Sequence, residues 1–482
     1  MEYILSDLEP NAIYRYFEEL CAIPHGSSNE SGVADWLVDF AKEHDLEYYR
    51  DELHNVLIKK NGSKGNESLP PLLIQGHTDM VCEKNSDTVH DFEKDGLKLR
   101  VKNGWLYAEG TTLGADDGVA VALMMAVLAD KDLVHPPLEC LFTVQEETGM
   151  GGVYGFDFSK MAAKEFINLD SESLDIATLS CAGGVQSDIF FEFDEYKLAN
   201  TPIVISIKGL AGGHSGVDIN SGKANANILM GRIFADLYED EPFNLVSVNG
   251  GLKANAIPRE CVAVVSVFDH KAAKAKIKQF ADVLKKELVK DDRRFTVRVE
   301  RAKEPLESMF SFKDTSKIIS CMNLIPNGVL SMRHDVKDLV ESSSNLGIVE
   351  TAGNKIKLVC MPRSSSESRL DCVIMKINAL CKALGARAEH SSRYPGWEYN
   401  PESRVRDIFA KVYKDMFGKK PSYEFVHAGL ECGIISDAMG GMDGISIGAE
   451  ILDIHTPDEK LNLKSFAESY TLLCNMLGEF CK

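Results

Sequence analysis

The first 198 residues alternate between two hydrophobic periods. Apolar positions recur at helical spacing through Asn11–Cys21 and Ser31–Glu43, and Ser28-Asn29-Glu30 precedes the second run as a candidate cap. Short apolar runs follow at residues 55–58, 72–75, 138–144 and 166–169, each of strand length, and residues 119–129 read as a helix apolar on every side. Strands interspersed with helices predict an α/β domain with a mixed, largely parallel sheet. In such sheets ligands collect beyond the carboxyl ends of the strands, so polar residues that close these runs are the first candidates for chemistry.

From about residue 201 the pattern changes. Residues 202–208 and 261–267 alternate as strands, with helical spacing at 225–237 between them and at 271–288 after them. A second set follows: a helix at 316–322, strands at 344–351 and 355–361, and a helix at 369–384. This is an α+β pattern of two similar halves. After Tyr394-Pro395-Gly396-Trp397 the α/β pattern returns. The simplest organisation is a discontinuous α/β domain, 1–198 and 391–482, interrupted by an α+β domain at 199–390.

A length of 482 residues fits this division, and a hydrophobic fraction of 44% supplies a sizeable core. The net charge of -20, spread along the chain, argues against nucleic acid or an anionic membrane as a partner, because both need basic surface. The opening residues lack the basic and apolar regions of a signal peptide, and no run approaches the roughly eighteen apolar residues of a membrane helix. Twelve cysteines, mostly in apolar surroundings and without a Cys-x-x-Cys pair, fit buried thiols in a reducing compartment. A cytoplasmic location is the expectation.

Five segments place potential metal ligands at strand ends. The first is Gly76-His77-Thr78-Asp79, where alternation lets His77 and Asp79 lie close together and a carboxylate can hold an imidazole's second nitrogen. Alone, this pair reads first as a satisfied surface contact, since His-x-Asp occurs by chance. In Gly114-Ala115-Asp116-Asp117-Gly118 two acids precede an apolar helix; capping explains one of them, not its neighbour. The third, Phe142-Thr143-Val144-Gln145-Glu146-Glu147, ends an apolar strand on two like charges, which cations would reconcile. One carboxylate can then ligate while its neighbour moves a proton. Asp170-Ser171-Glu172 and His455-Thr456-Pro457-Asp458-Glu459 complete the set. Mixed nitrogen and oxygen donors suit zinc, with cobalt and manganese as alternatives. By contrast, His44, His54, His135, His270 and His390 stand in polar or turn contexts that read as solvent-facing.

The order and spacing of these segments resemble the dinuclear metallopeptidase family M20, which includes carnosinases, carboxypeptidase G and aminoacylases, and in particular its aminoacyl-histidine dipeptidase branch. The resemblance runs nearly end to end. It also takes in Ile23-Pro24-His25, Asp87-Thr88-Val89-His90-Asp91-Phe92, Cys181-Ala182-Gly183-Gly184, Gly212-Gly213-His214-Ser215-Gly216, Asn255-Ala256-Ile257-Pro258-Arg259-Glu260 and His427-Ala428-Gly429-Leu430-Glu431-Cys432-Gly433. It implies a zinc-peptidase-like catalytic domain with an inserted lid, and two divalent ions bridged by Asp116. One ion would also take His77 and Asp170, and the other Glu147 and His455. Asp79 would orient His77, and Glu146 would be the general base. His214 would stabilise the oxyanion, and Asn255, Arg363 and Gly429 would bind the substrate's carboxylate. The peptide bond after Asp116 would be cis. Where the wider family has a lysine after the Asp pair, this chain has Gly118, as the histidine-dipeptidase branch tolerates. A lid of two halves could supply His214 to its own active site, so a homodimer is compatible with this reading but not required.

The implied activity is hydrolysis of small peptides, preferentially Xaa-His dipeptides including β-Ala-His. An N-acyl-amino-acid amidohydrolase is the near alternative. A non-catalytic binding protein would be expected to lack a ligand or the base, and here all are present.

Overall fold

The computed structural model describes residues 3–198, 200–303 and 308–482. The chain divides into two units: residues 1–180, 399–425 and 431–482 form the first, and residues 181–398 and 426–430 the second.

The first unit is built on an eight-stranded sheet in the order Glu47–Arg50, Val56–Lys60, Leu138–Thr143, Leu72–His77, Glu165–Ser171, Asp443–Gly448, Ile176–Cys181 and Ser422–Val426. The four strands from Leu138–Thr143 to Asp443–Gly448 run parallel. Antiparallel pairs flank them through Val56–Lys60 and Ile176–Cys181. Leu138–Thr143 and Leu72–His77 are buried at every position, which is why they read as continuous apolar runs rather than alternating ones. The helix Ala115–Ala129 is likewise buried nearly all round, and Asn11–Cys21 packs Ile13, Phe17 and Leu20 into the same core. A second sheet joins Ile451–Leu452, Lys460–Asn462, Trp105–Ala108 and Leu99–Lys102. It ties the C-terminal loop 453–459 to the segment that leads into the buried helix.

Two local readings need correction. Glu30 occupies the N-cap of Ser31–Glu43 without capping it. Its carboxylate instead accepts from the amides of Ser28 and Gln145, a long-range use that local spacing could not reveal. His135 is not solvent-facing: it is buried, with Nδ1 2.7 Å from the Pro136 carbonyl.

The second unit has an eleven-stranded sheet with its own core. One section comprises Thr296–Arg301, Thr201–Lys208, Cys261–Val267 and Asn244–Gly250, with the helices Ala226–Asp240 and His270–Glu287. The other is centred on Leu346–Ala352, Lys355–Cys360 and Gly183–Glu192, with the helix Glu367–Leu384. The sections meet at the Gly250–Val349 pair. The strand Gly183–Glu192 lies inside this sheet, paired with both Lys355–Cys360 and Arg387–Tyr394. The second unit therefore begins at Cys181 and ends its main span at Glu398, outside the boundaries 199 and 391 expected from texture. Ala199 itself lies outside the described residues. The partners of 183–192 are distant in sequence, so its apolar alternation alone could not assign it to a sheet. Among the described residues the twelve cysteines form no disulfide, and most are buried.

Candidate active site

The first unit gathers the ligand candidates at one end of its parallel strands. His77 is the last residue of Leu72–His77, and Asp170 lies near the end of Glu165–Ser171. After Leu138–Thr143 the chain turns through Gln145, at φ 56°, into Glu146 and Glu147. Asp116 stands at the start of the buried helix, behind Gly114 at φ 67°, and the Asp116–Asp117 peptide is cis. A side chain at Gly114 would be strained in that left-handed conformation and would press on Met80 and His25. At Gly76 an added Cβ would come within 2.3 Å of Ala120 and 2.5 Å of Asp117, so glycine lets the helix approach the strand.

The two oxygens of Asp116 face different histidines. Oδ1 lies 3.1 Å from His77 Nε2, and Oδ2 lies 3.2 Å from His455 Nε2. His77 Nε2 is also 3.7 Å from Asp170 Oδ1, and His455 Nε2 is 3.0 Å from Glu147 Oε1. Three groups of candidate donors have ligand atoms within 4.8 Å of one another, His77–Glu146–Glu147, His77–Asp116–Asp170 and Asp116–Glu147–His455, and the last two share Asp116. A carboxylate shared between two imidazole-bearing triads, with no lysine or arginine in either, is a donor set that fits two divalent cations.

The neighbouring acids divide the labour that sequence left open. Asp117 serves the backbone: Oδ1 accepts from Ala120 N at 3.3 Å and Oδ2 from His77 N at 3.2 Å, while Asp116 is left to face the histidines. Asp79 accepts from the amides of Glu146 (3.0 Å) and Glu147 (3.3 Å) and from Ser27 Oγ (2.8 Å). Its carboxylate lies 3.4 Å from His77 Nδ1, which is closer, at 2.9 Å, to its backbone carbonyl. Asp79 therefore fixes the imidazole and the Glu146–Glu147 turn together. Sequence reasoning missed Glu459, whose buried carboxylate accepts from the amides of Leu113, Gly114, Ala115 and Asp116. It secures the loop that presents Asp116. The only hint was an extra acid after Pro457.

Electrostatics follow from this crowding. Burial raises the Glu146 carboxyl to about 7, and the negative Glu147 adds to the effect against the opposing His77. Burial alone would lower His77, but hydrogen bonds to Asp116 and Asp79 carry it well above the ordinary histidine value. Asp116 and Glu147 raise the half-exposed His455 to about 10. Burial, reinforced by Asp117, holds Asp170 well above the usual carboxylate range. Beside the cluster, a cavity of about 750 Å³ is lined by residues including Glu147, Thr148, Cys82, His90 and Phe92, which takes in part of the 87–92 motif.

The remaining candidates belong to the second unit. His214 pairs with Ala256 across a short ladder, and its Nδ1 accepts from the amides of Gly216 and Val217, each at 3.2 Å. Burial, then the charge of Arg363, lowers its pKa, so the neutral ring carries its proton on Nε2 and can donate from there. Arg363 is only 3% exposed, and among the described residues no carboxylate lies within ion-pair distance of it. Its Nη1 donates to the Tyr394 hydroxyl, and its Nε has no partner. Such a guanidinium is suited to an incoming carboxylate. Asn255 is exposed and gives its carbonyl to Ser215 N, while Gly429 follows Ala428, whose carbonyl accepts from Ala182 N.

The chain is 36% identical over 479 residues to the cytosol non-specific dipeptidase of Escherichia coli, covering 98% of this chain and 99% of that one. An aminoacylhistidine dipeptidase structure from Vibrio alginolyticus superposes with a TM-score of 0.94, at 34% identity over 98% of each chain. An aminopeptidase structure from Bacillus cereus shares the fold alone, with a TM-score of 0.56 at 16% identity over 98% of each chain. The model of peptidase family M20/M25/M40 matches residues 73–479, and the chain belongs to that family.

Proposed function

We propose that this chain is a dinuclear metallo-dipeptidase that hydrolyses unblocked dipeptides, Xaa-His substrates including β-Ala-His among them, with zinc as the working metal. The observation that carries this reading is the Asp116 carboxylate, with one oxygen toward His77 and the other toward His455. In this reading one cation is held by His77, Asp116 and Asp170, and the other by Asp116, Glu147 and His455. When bound, the pair activates water and polarises the peptide carbonyl. Glu146, raised to about 7, accepts a proton from the attacking water and delivers it to the amine as the carbon–nitrogen bond breaks. Asp79 holds the Glu146 amide and His77 in place during that transfer. His214 donates Nε2–H to the oxyanion, while Arg363, Asn255 and Gly429 bind the C-terminal carboxylate. A cytosolic setting is supported by the mostly buried cysteines, which form no disulfide among the described residues, and by the relative named above. Among the described residues no helix is long and apolar enough to cross a membrane.

The test is a dipeptide panel assayed with zinc, cobalt or manganese after chelation. Turnover should vanish on chelation and return with added metal, with β-Ala-His among the substrates cleaved. A preference for acetyl-histidine over β-Ala-His would instead identify an amidohydrolase of the same family.

A further inference from the structure

One buried carboxyl has no part in the chemistry above. Glu431, the first residue of the helix Glu431–Ala438, is 1% exposed, and no cationic side chain among the described residues lies within ion-pair distance of it. Its Oε2 accepts from Gln75 Nε2 at 2.6 Å and lies 2.6 Å from Thr143 Oγ1; its Oε1 has no partner. Gln75 Nε2 also reaches Thr143 Oγ1 at 3.1 Å, and Asn168 Nδ2 donates to Gln75 Oε1 at 2.7 Å. Gln75, Thr143 and Asn168 are buried as deeply as Glu431.

The three strand residues are placed systematically. Gln75 precedes His77 by two positions, and Asn168 precedes Asp170 by two, so each shares a strand face with its ligand. Gln75 and Asn168 are also direct partners across the parallel ladder. Thr143 closes the strand that leads into Glu146 and Glu147, and it pairs with His77 itself. The network therefore forms a set of polar contacts beside and below the ligands, across the strands that carry His77 and Asp170 and the strand that leads into Glu147. A bare charge in such surroundings is costly, and burial, then the negative Glu146, push Glu431 up to about 8. The neutral acid can donate to Thr143, which frees the single Thr143 hydroxyl proton for the Gly76 carbonyl 3.3 Å away, one residue before His77.

We propose that Glu431 is a positioning residue for the metal centre: through Gln75, Thr143 and Asn168 it locks the strands of His77 and Asp170, and the strand that leads into Glu147, in register and so fixes the spacing of their donor atoms, without touching metal or substrate. The proposal rests on the dinuclear reading above.

The test measures cobalt(II) and zinc(II) affinity of the full chain by chelator competition, together with the visible spectrum of the cobalt form and thermal unfolding. E431Q, which keeps a donor and an acceptor, should bind metal within about threefold of the original protein. E431L and T143V should each weaken binding by about tenfold, as partners outside the ligand set commonly do, and should alter the cobalt spectrum; excess metal should restore turnover. Original-level metal affinity in E431L and T143V, whatever their thermal stability, would overturn the proposal and leave the dinuclear reading standing. So would E431Q binding as weakly as E431L. If E431L does not fold, T143V, which conserves volume, decides the matter. A parent protein that binds no metal would remove the dinuclear reading and this proposal together.

Discussion

Because both histidines of the site face carboxylates through Nε2, loading metal should expel protons in a number that can be counted. In the metal-free chain His455 is raised to about 10 by Asp116 and Glu147, and His77 is held well above its ordinary value by the same kind of contact. At pH 7 the His455 ring is imidazolium, the shift of His77 favours the same form, and a ligating nitrogen must surrender its proton. Burial and Asp117 hold Asp170 above the usual carboxylate range, so any proton it carries would be released as well. Binding two metals at pH 7 should thus release at least about one proton, that of His455. The sign follows from linkage. A raised histidine pKa stabilises the metal-free fold fully below 6.5, and that contribution is lost as the pH rises through about 10. Metal competes with those protons, so apparent affinity should rise with pH across the same window. Each proton released is worth about 1.4 kcal/mol per pH unit and so makes the overall two-metal constant about tenfold tighter per unit. Isothermal titration at pH 7 in two buffers of different ionisation enthalpy reads the count directly, and His455→Gln should lower it by about one. Release of fewer than one proton per two metals would refute the charge assignment of the site.

Other outcomes follow from the same geometry. Glu146→Gln should lower kcat by about 10²- to 10⁴-fold while both metals remain bound, as read by steady-state kinetics and metal analysis. Asp79→Asn should weaken metal binding by about 10- to 100-fold in chelator competition, because it loosens His77 and the Glu146–Glu147 turn at once. Glu459→Leu strands several buried amides of the loop that presents Asp116, and should cost about 3–5 kcal/mol in urea unfolding. Tyr394→Phe removes the hydroxyl that meets Arg363, a hydrogen bond worth about 1.5–3 kcal/mol to a charged group. It should raise KM at least several-fold for free dipeptides, leaving kcat and the KM of C-terminal amides little changed.

Much of the fold was legible in local pattern. The helices Asn11–Cys21 and Ser31–Glu43 have the ends their periodicity predicts, and the mainly apolar runs at 72–75 and 138–144 are central parallel strands. The acids at 116–117, 146–147 and 170 stood out because charged groups closing apolar strands or opening an apolar helix are poor structural choices unless they have a use, whereas the selection of His77, Asp116, Glu147, Asp170 and His455 as ligands came from the resemblance to the family. These are properties of neighbours in sequence, and hydrophobic periodicity encodes them directly.

Tertiary structure decided what depends on distant partners. It assigned Gly183–Glu192 to the second unit, because its pairing strands lie far along the chain. It separated Asp116 from Asp117, which look alike in sequence, by giving one to the histidines and the other to backbone amides. Glu459 reaches the 113–116 loop across more than 340 residues, and Glu431 reaches Gln75 across 356. A carboxyl's role is set by burial and by which donors face it, and those are fixed only when remote segments pack together.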